Sequence, residues 1–143
     1  MKQRVLRRYI LIGIAGGIGT LCRYAAGEWL YFPGPFFVTL FINLSGSFLI
    51  GCLQAFAEPE SRFYLGPNAR LALMTGFCGG YTTFSTFSLL SFYSMQRTIW
   101  SDVVLNIVTS HLLGLTAVFA GYFASGATIR MMEAWARRRR YRR

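Results

Sequence analysis

Four stretches of this chain are long, apolar and almost free of charge, and no other feature restricts the fold as strongly. Residues 36–57, 71–96 and 103–129 contain no Asp, Glu, Lys or Arg, and residues 9–32 contain only Arg23 and Glu28. Each run reaches the roughly 20 residues that a helix needs to cross about 30 Å of hydrocarbon. Lipid offers the backbone no hydrogen-bond partners, so runs of this kind are helices. The expectation is an all-α membrane protein with four transmembrane helices, at about 9–32, 36–57, 71–96 and 103–129. They form a single domain over residues 1–143 with a basic tail at 130–143. A cleavable leader is a poor account of the first run, which carries Arg23 and Glu28 and has no clean small-residue cleavage site.

Composition agrees. The chain is 54% hydrophobic and only 14% charged, too little polar surface to cover a water-soluble core. Its formal net charge of +10 is segregated, with Lys2, Arg4, Arg7 and Arg8 at one end and Arg137 to Arg140, Arg142 and Arg143 at the other. Beside membrane spans such clusters are topology signals rather than a nucleic-acid surface, and they are compatible with anionic lipid. No nucleic-acid partner is expected. Cys22, Cys52 and Cys78 stand singly in apolar runs, without C-x-x-C spacing, and read as small reduced core residues.

Phe32-Pro-Gly-Pro35 turns the chain between the first two helices, and Asp102 is a candidate N-cap for the last. Glycines punctuate three of the spans. Gly13 and Gly17 have the small-x-x-x-small spacing that lets helices approach closely, and Gly46, Gly51, Gly114 and Gly121 are expected to act alike. A phosphate-binding loop would need a preceding strand, which the first run does not have.

The third run is different. Thr75-Gly76, Gly79-Gly80 and Thr82-Thr83 put helix-weakening residues near the middle of a span. Backbone freed there must be buried in protein or face a wet cavity. Freed carbonyls of this kind also hold cations in membrane proteins. Spacing alone leaves both a break and a simple kink open.

Polar residues form stripes on the helices. Thr39, Asn43 and Ser47 recur every four residues on the second, and Asn106 and Ser110, continued by Gly114, do so on the fourth. Phe84 and Phe87 share a face of the third, with Ser85, Thr86 and Ser88 around them. Each residue alone is ordinary packing glue, whereas three stripes together suggest a pathway. It offers neutral donors and ring edges but no carboxylate, which favours a small anion over a cation. The residues do not distinguish fluoride from chloride.

Gly79-Gly80-Tyr81-Thr82-Thr83-Phe84-Ser85-Thr86-Phe87-Ser88 closely resembles the signature of the Fluc (CrcB) family of fluoride channels. Gly16-Gly17-Ile18-Gly19 before Arg23-Tyr24, and Thr39-Leu40-Phe41-Ile42-Asn43 before Gly46, extend the likeness over the other helices. The resemblance implies passive fluoride export that relieves toxicity, by an antiparallel dual-topology dimer whose third helix is broken near its middle. By position, Asn43 resembles the amide donor of the fluoride path, Phe84 and Phe87 its paired rings, and Ser110 a hydroxyl beside the ion track. Thr39, Thr83 and Ser88 join that path, and Arg23 its vestibule. Gly79 and Thr82 match the backbone carbonyls that hold a structural Na+ at the dimer interface. Two departures stand out: Leu90 occupies a position where many members have Glu, and Gly114 one where a second hydroxyl is expected. Part of the polar track must then come from another residue or from a partner subunit.

The implied location is the cell (inner) membrane, multi-pass. With four helices, both termini and the second loop share one side, which carries Lys2, Arg4, Arg7, Arg8, Arg62, Arg70, Arg130 and the terminal arginines. The other side has Arg97, with Arg23 near the end of the first helix. The positive-inside rule puts both termini in the cytoplasm. An antiparallel homodimer needs balanced charge, so the partner is either an oppositely oriented homologue or a second copy inserted against this bias.

Other classes fit less well. A proton-coupled multidrug exporter needs a carboxylate deep in the first helix, and Glu28 lies beside the Pro33–Pro35 turn. A membrane scaffold would tolerate other bulky residues at Phe84 and Phe87. An enzyme is not indicated, because His111 has no acidic neighbour in its span and reads as a histidine bonded to a neighbouring helix.

Overall fold

The structure, a computed structural model, describes residues 2–30, 32–58 and 64–141, with side chains up to Ala136. Arg62, Arg142, Arg143 and the side chains of Arg137 to Arg140 lie outside the described residues, so their share of the charge bias rests on sequence alone. All regular structure among the described residues is helical. In chain order the elements are α1 (Lys2–Trp29), α2 (Pro35–Phe56), α3 (Pro67–Arg70), a π-helix (Leu71–Cys78), α4 (Gly79–Tyr81), α5 (Phe84–Gln96) and α6 (Trp100–Tyr141). Three helical segments are long and apolar enough to span a membrane, Lys2–Trp29, Pro35–Phe56 and Trp100–Ala136. The third apolar run is divided instead, into residues 67–81 and α5.

Local chemistry sets the ends. After α1 the chain tightens through successive short turns, Phe32 N–H to Leu30 O at 3.0 Å and Gly34 N–H to Phe32 O at 2.7 Å. Gly34 sits at φ 108°, a backbone state that favours glycine, and Pro35 opens α2. Pro67 likewise opens α3, so the third run becomes helical at residue 67 and not at 71. Asp102 is not the cap of the last helix: α6 starts at Trp100 and carries Asp102 in its first turn, where a carboxylate favours the helix dipole. At its far end α6 runs on through the basic tail to Tyr141. Its 42 residues amount to about 63 Å, twice the hydrocarbon thickness.

Two interfaces hold the bundle together, α1 on residues 71–81 and α2 on α6. Both are backbone-to-backbone. A Cβ on Gly19 would collide with Phe77 O, and one on Gly80 with Gly16 O. Across the other interface, Gly51 faces Val118 O and Gly121 faces Phe48 O with no room for a side chain. The expected Gly13–Gly17 contact is not made, since nothing approaches a Cβ at either position within 4 Å. The packed face of α1 is instead the Gly16–Gly19 face, turned to the third run. Gly114 is also open rather than tightly packed.

The outward surface is apolar. Ile14, Leu21, Leu112, Leu115, Phe119 and Phe123 are all exposed. The interior is correspondingly thin, with Ile42, Ala55, Cys78, Phe87 and Val103 among its buried members. A chain that turns its large aliphatic and aromatic side chains outward along several helices is built for a hydrocarbon solvent.

Candidate functional site

The site begins where α4 stops. Cys78 to Tyr81 are helical, but Thr82 (φ −76°, ψ 161°) and Thr83 (φ −143°, ψ 113°) are extended, and helix resumes at Phe84. Two extended residues in the middle of an apolar run divert several main-chain groups from their helical partners. The Thr83 N–H, which a continuous helix would aim at Gly79 O, donates to Asn43 Oδ1 at 2.8 Å. Asn43 Nδ2 donates in return to Thr83 O at 3.0 Å. The Asn43 amide therefore clamps the Thr83 peptide at both ends and keeps one N–H for other use.

Neighbouring groups complete the accounting. Thr20 Oγ1 donates to Gly80 O at 3.3 Å, and an Arg23 Nη1–H reaches Thr82 O at 3.4 Å. Thr82 bonds back to Cys78 O through both its N–H and its hydroxyl, each at 2.9 Å. On the far side Thr83 is the N-cap of α5: its Oγ1 accepts from Thr86 N at 3.1 Å and donates to Thr86 Oγ1 at 3.0 Å. The cap explains why the helix restarts there. Glycines and threonines in this order make interruption cheap, and three long-range side chains make it stable.

Below the interruption lies a cleft of about 250 Å³, lined by Asn43, Ser47, Thr83, Phe84, Phe87 and Ser110, with Thr82 and His111 at its edges. The Phe84 and Phe87 rings lie 5.5 Å apart at 39°, Phe87 buried and Phe84 largely exposed. No carboxylate lines it. The wall offers amide and hydroxyl protons and ring edges, so it suits a small anion without holding it by a fixed charge.

The cleft thus gathers five residues singled out in the sequence, Asn43, Thr83, Phe84, Phe87 and Ser110. Thr39 is buried one turn before Asn43 and outside the lining. Ser88 also lies outside it, its hydroxyl donated to Phe84 O at 2.9 Å. Gly79 and Thr82 line a separate cavity of about 680 Å³ between α2 and residues 64–82, whose polar end carries Arg8 and Arg70. Leu90 and Arg97 line a third cavity, of about 510 Å³, near the Pro33–Pro35 turn.

Sequence reasoning undervalued two residues. His111 does not bond to a neighbouring helix; its Nδ1–H donates to Ile107 O of its own helix at 2.7 Å, and its ring meets Phe87 edge-on at 5.8 Å. Asn106 is buried and ties α6 to α5, donating to Ser91 Oγ at 2.8 Å and to Phe87 O at 3.4 Å. It also accepts from Ser110 Oγ at 3.3 Å. The four-residue spacing of Asn106 and Ser110 is its sequence signal, and His111 has none beyond adjacency.

Fold and site together define a small polytopic helical membrane protein with an uncharged polar cleft beside an interrupted helix. The family model described as CrcB-like protein, Camphor Resistance (CrcB), matches residues 10–122. The chain belongs to the CrcB family. It is 40% identical over 119 residues to the Fluoride-specific ion channel FluC of Rhizobium meliloti, spanning 81% of this chain and 94% of that one. It is 42% identical over 120 residues to the FluC of Nitrobacter winogradskyi, spanning 79% and 91%. With FluC 1 of Bradyrhizobium diazoefficiens it shares 36% identity over 134 residues, spanning 93% and 94%.

Proposed function

We propose that this chain is a subunit of a fluoride-specific ion channel that lets fluoride leave the cytoplasm passively. The carrying observation is a cleft of neutral donors and ring edges, Asn43, Ser110, Phe84 and Phe87, in a relative of proteins named fluoride-specific channels. Hydrogen fluoride enters cells as the neutral acid, ionises, and requires a path out as the anion. Asn43 supplies an N–H that Thr83 leaves free, the phenyl edges give weak attraction, and Ser110 continues the donor line. Thr39, Thr83 and Ser88 support that path from outside or above it, and Arg23 forms its vestibule. The test is protein in liposomes, with fluoride efflux followed by an electrode. Efflux of fluoride far above chloride is expected, and equal passage of chloride would sink the assignment.

The channel is read as an antiparallel dimer in the cell membrane. Gly79 and Thr82 carbonyls from two subunits would hold a structural Na+. The donor set fits, because neutral carbonyl oxygens suit a hard monovalent cation and Gly79 O has its usual helical donor drawn away to Asn43. The ion would stabilise the interface and take no part in transport.

Charge supports cytoplasmic termini. Arg8 Nε donates to Asn68 Oδ1 at 3.4 Å, so the basic start of α1 and the Arg70 end of α3 share one side, opposite Arg97. A single orientation calls for an oppositely oriented homologue as partner. Reporters active on one side only, fused to the C-terminus of the chain expressed alone, test this. Equal signal from both sides would rule out a single orientation.

A further inference from the structure

Two cavities meet along α2. The larger, of about 680 Å³, has Arg8 and Arg70 at its polar end, and the smaller is the phenyl-lined cleft of about 250 Å³. Ser47 and Thr82 line both. An anion drawn in by the two arginines meets no further charge, so the next step depends on donors at this junction.

Most hydroxyls there are already committed. Thr82 Oγ1 donates to Cys78 O, Thr83 Oγ1 to Thr86 Oγ1, and Ser110 Oγ to Asn106 Oδ1. Among the described residues nothing accepts the Ser47 proton, and nothing donates to its oxygen. A half-buried hydroxyl in apolar surroundings usually bonds back to its own helix, as Thr109, Thr116 and Thr128 do on α6. Ser47 does not. It sits one turn from Asn43 on the same face of α2, so its proton and the unused Asn43 N–H point along one line.

We propose that the Ser47 hydroxyl is an anion subsite, the donor that passes a small hard anion from the arginine-ended cavity to Asn43 and the phenyl-lined cleft. The assignment rests on the fluoride-channel reading and adds to it a residue on α2. Across from Ser47 stands Gly114 of α6: a Cβ there would lie 4.0 Å from Ser47 Oγ, with nothing closer. The same space can therefore take a hydroxyl from either helix.

That symmetry provides the test, read as fluoride efflux from liposomes. Ser47→Ala is expected to slow efflux by roughly tenfold or more, the factor carried by one hydrogen bond to a charged group. Adding Gly114→Ser to Ser47→Ala is expected to bring efflux back to within about threefold of the unaltered protein, which loss of mere packing would not allow. Unchanged efflux in Ser47→Ala, or no recovery in the double variant, overturns the assignment. Ser47→Thr against Ser47→Val supplies a pair of equal size that differs in the hydroxyl, and equal efflux in the two overturns it as well. No fluoride efflux from the unaltered protein would instead overturn the channel reading itself.

Discussion

The two halves of the third apolar run solve opposite problems. Residues 67–81 lie against α1 through bare backbone, with Gly19 under Phe77 O and Gly80 under Gly16 O. Helix α5 is held by side chains, through Asn106 to Ser91 and Phe87 and through the Thr83 cap. Contacts of the first kind leave no adjustable atoms, and so fix a frame. Those of the second kind leave gaps, and the cleft is one of them. Asn43 joins the halves, because its amide grips the extended peptide that separates them.

Substitutions can break or sharpen this contrast. The largest effect is expected from Gly80→Ala, whose new methyl meets the Gly16 backbone: the protein should lose its monodisperse peak in size-exclusion chromatography. Next comes Asn43→Asp, which removes the donor to Thr83 O and puts a fixed negative charge beside the anion path. Fluoride efflux should fall by at least about tenfold while the elution profile stays unchanged. Thr83→Ala removes the α5 cap and should lower thermal stability by about 1 kcal/mol, with a smaller effect on efflux. Gly17→Ala faces open space and should be neutral or stabilising by up to about 1 kcal/mol. A marked loss with Gly17→Ala would mean that the outer face of α1 has a partner.

Hydropathy over about 20 residues is a local property, so the apolar runs could be read directly. Stripes at four-residue spacing were legible for the same reason, and they delivered Asn43, Ser110 and, less weighted, Ser47 and Asn106. The face of α1 that packs was not legible. Gly13, Gly16, Gly17 and Gly19 all have suitable spacing, and only the position of residues 71–81 decides in favour of Gly16 and Gly19. The Arg23 contact with Thr82 O joins groups 59 residues apart and has no local signal. Composition also does not say that Asp102 falls inside the first turn of α6, since Asp serves equally as cap and as first-turn residue.

The π-helix at Leu71–Cys78 has a consequence for what insertions and deletions this family member tolerates. A π-turn closes over five residues where an α-turn closes over four, so such a segment holds surplus chain wound into the same rise. Deleting one residue there would let the turns relax to α-helix and rotate everything downstream by about 100° relative to α1. The glycine face of α4 would leave Gly16, and Phe84 and Phe87 would swing away from Asn43. Phase along the third run is therefore inherited as a fixed residue count, and a neutral change of length between Leu71 and Cys78 is not available to this chain.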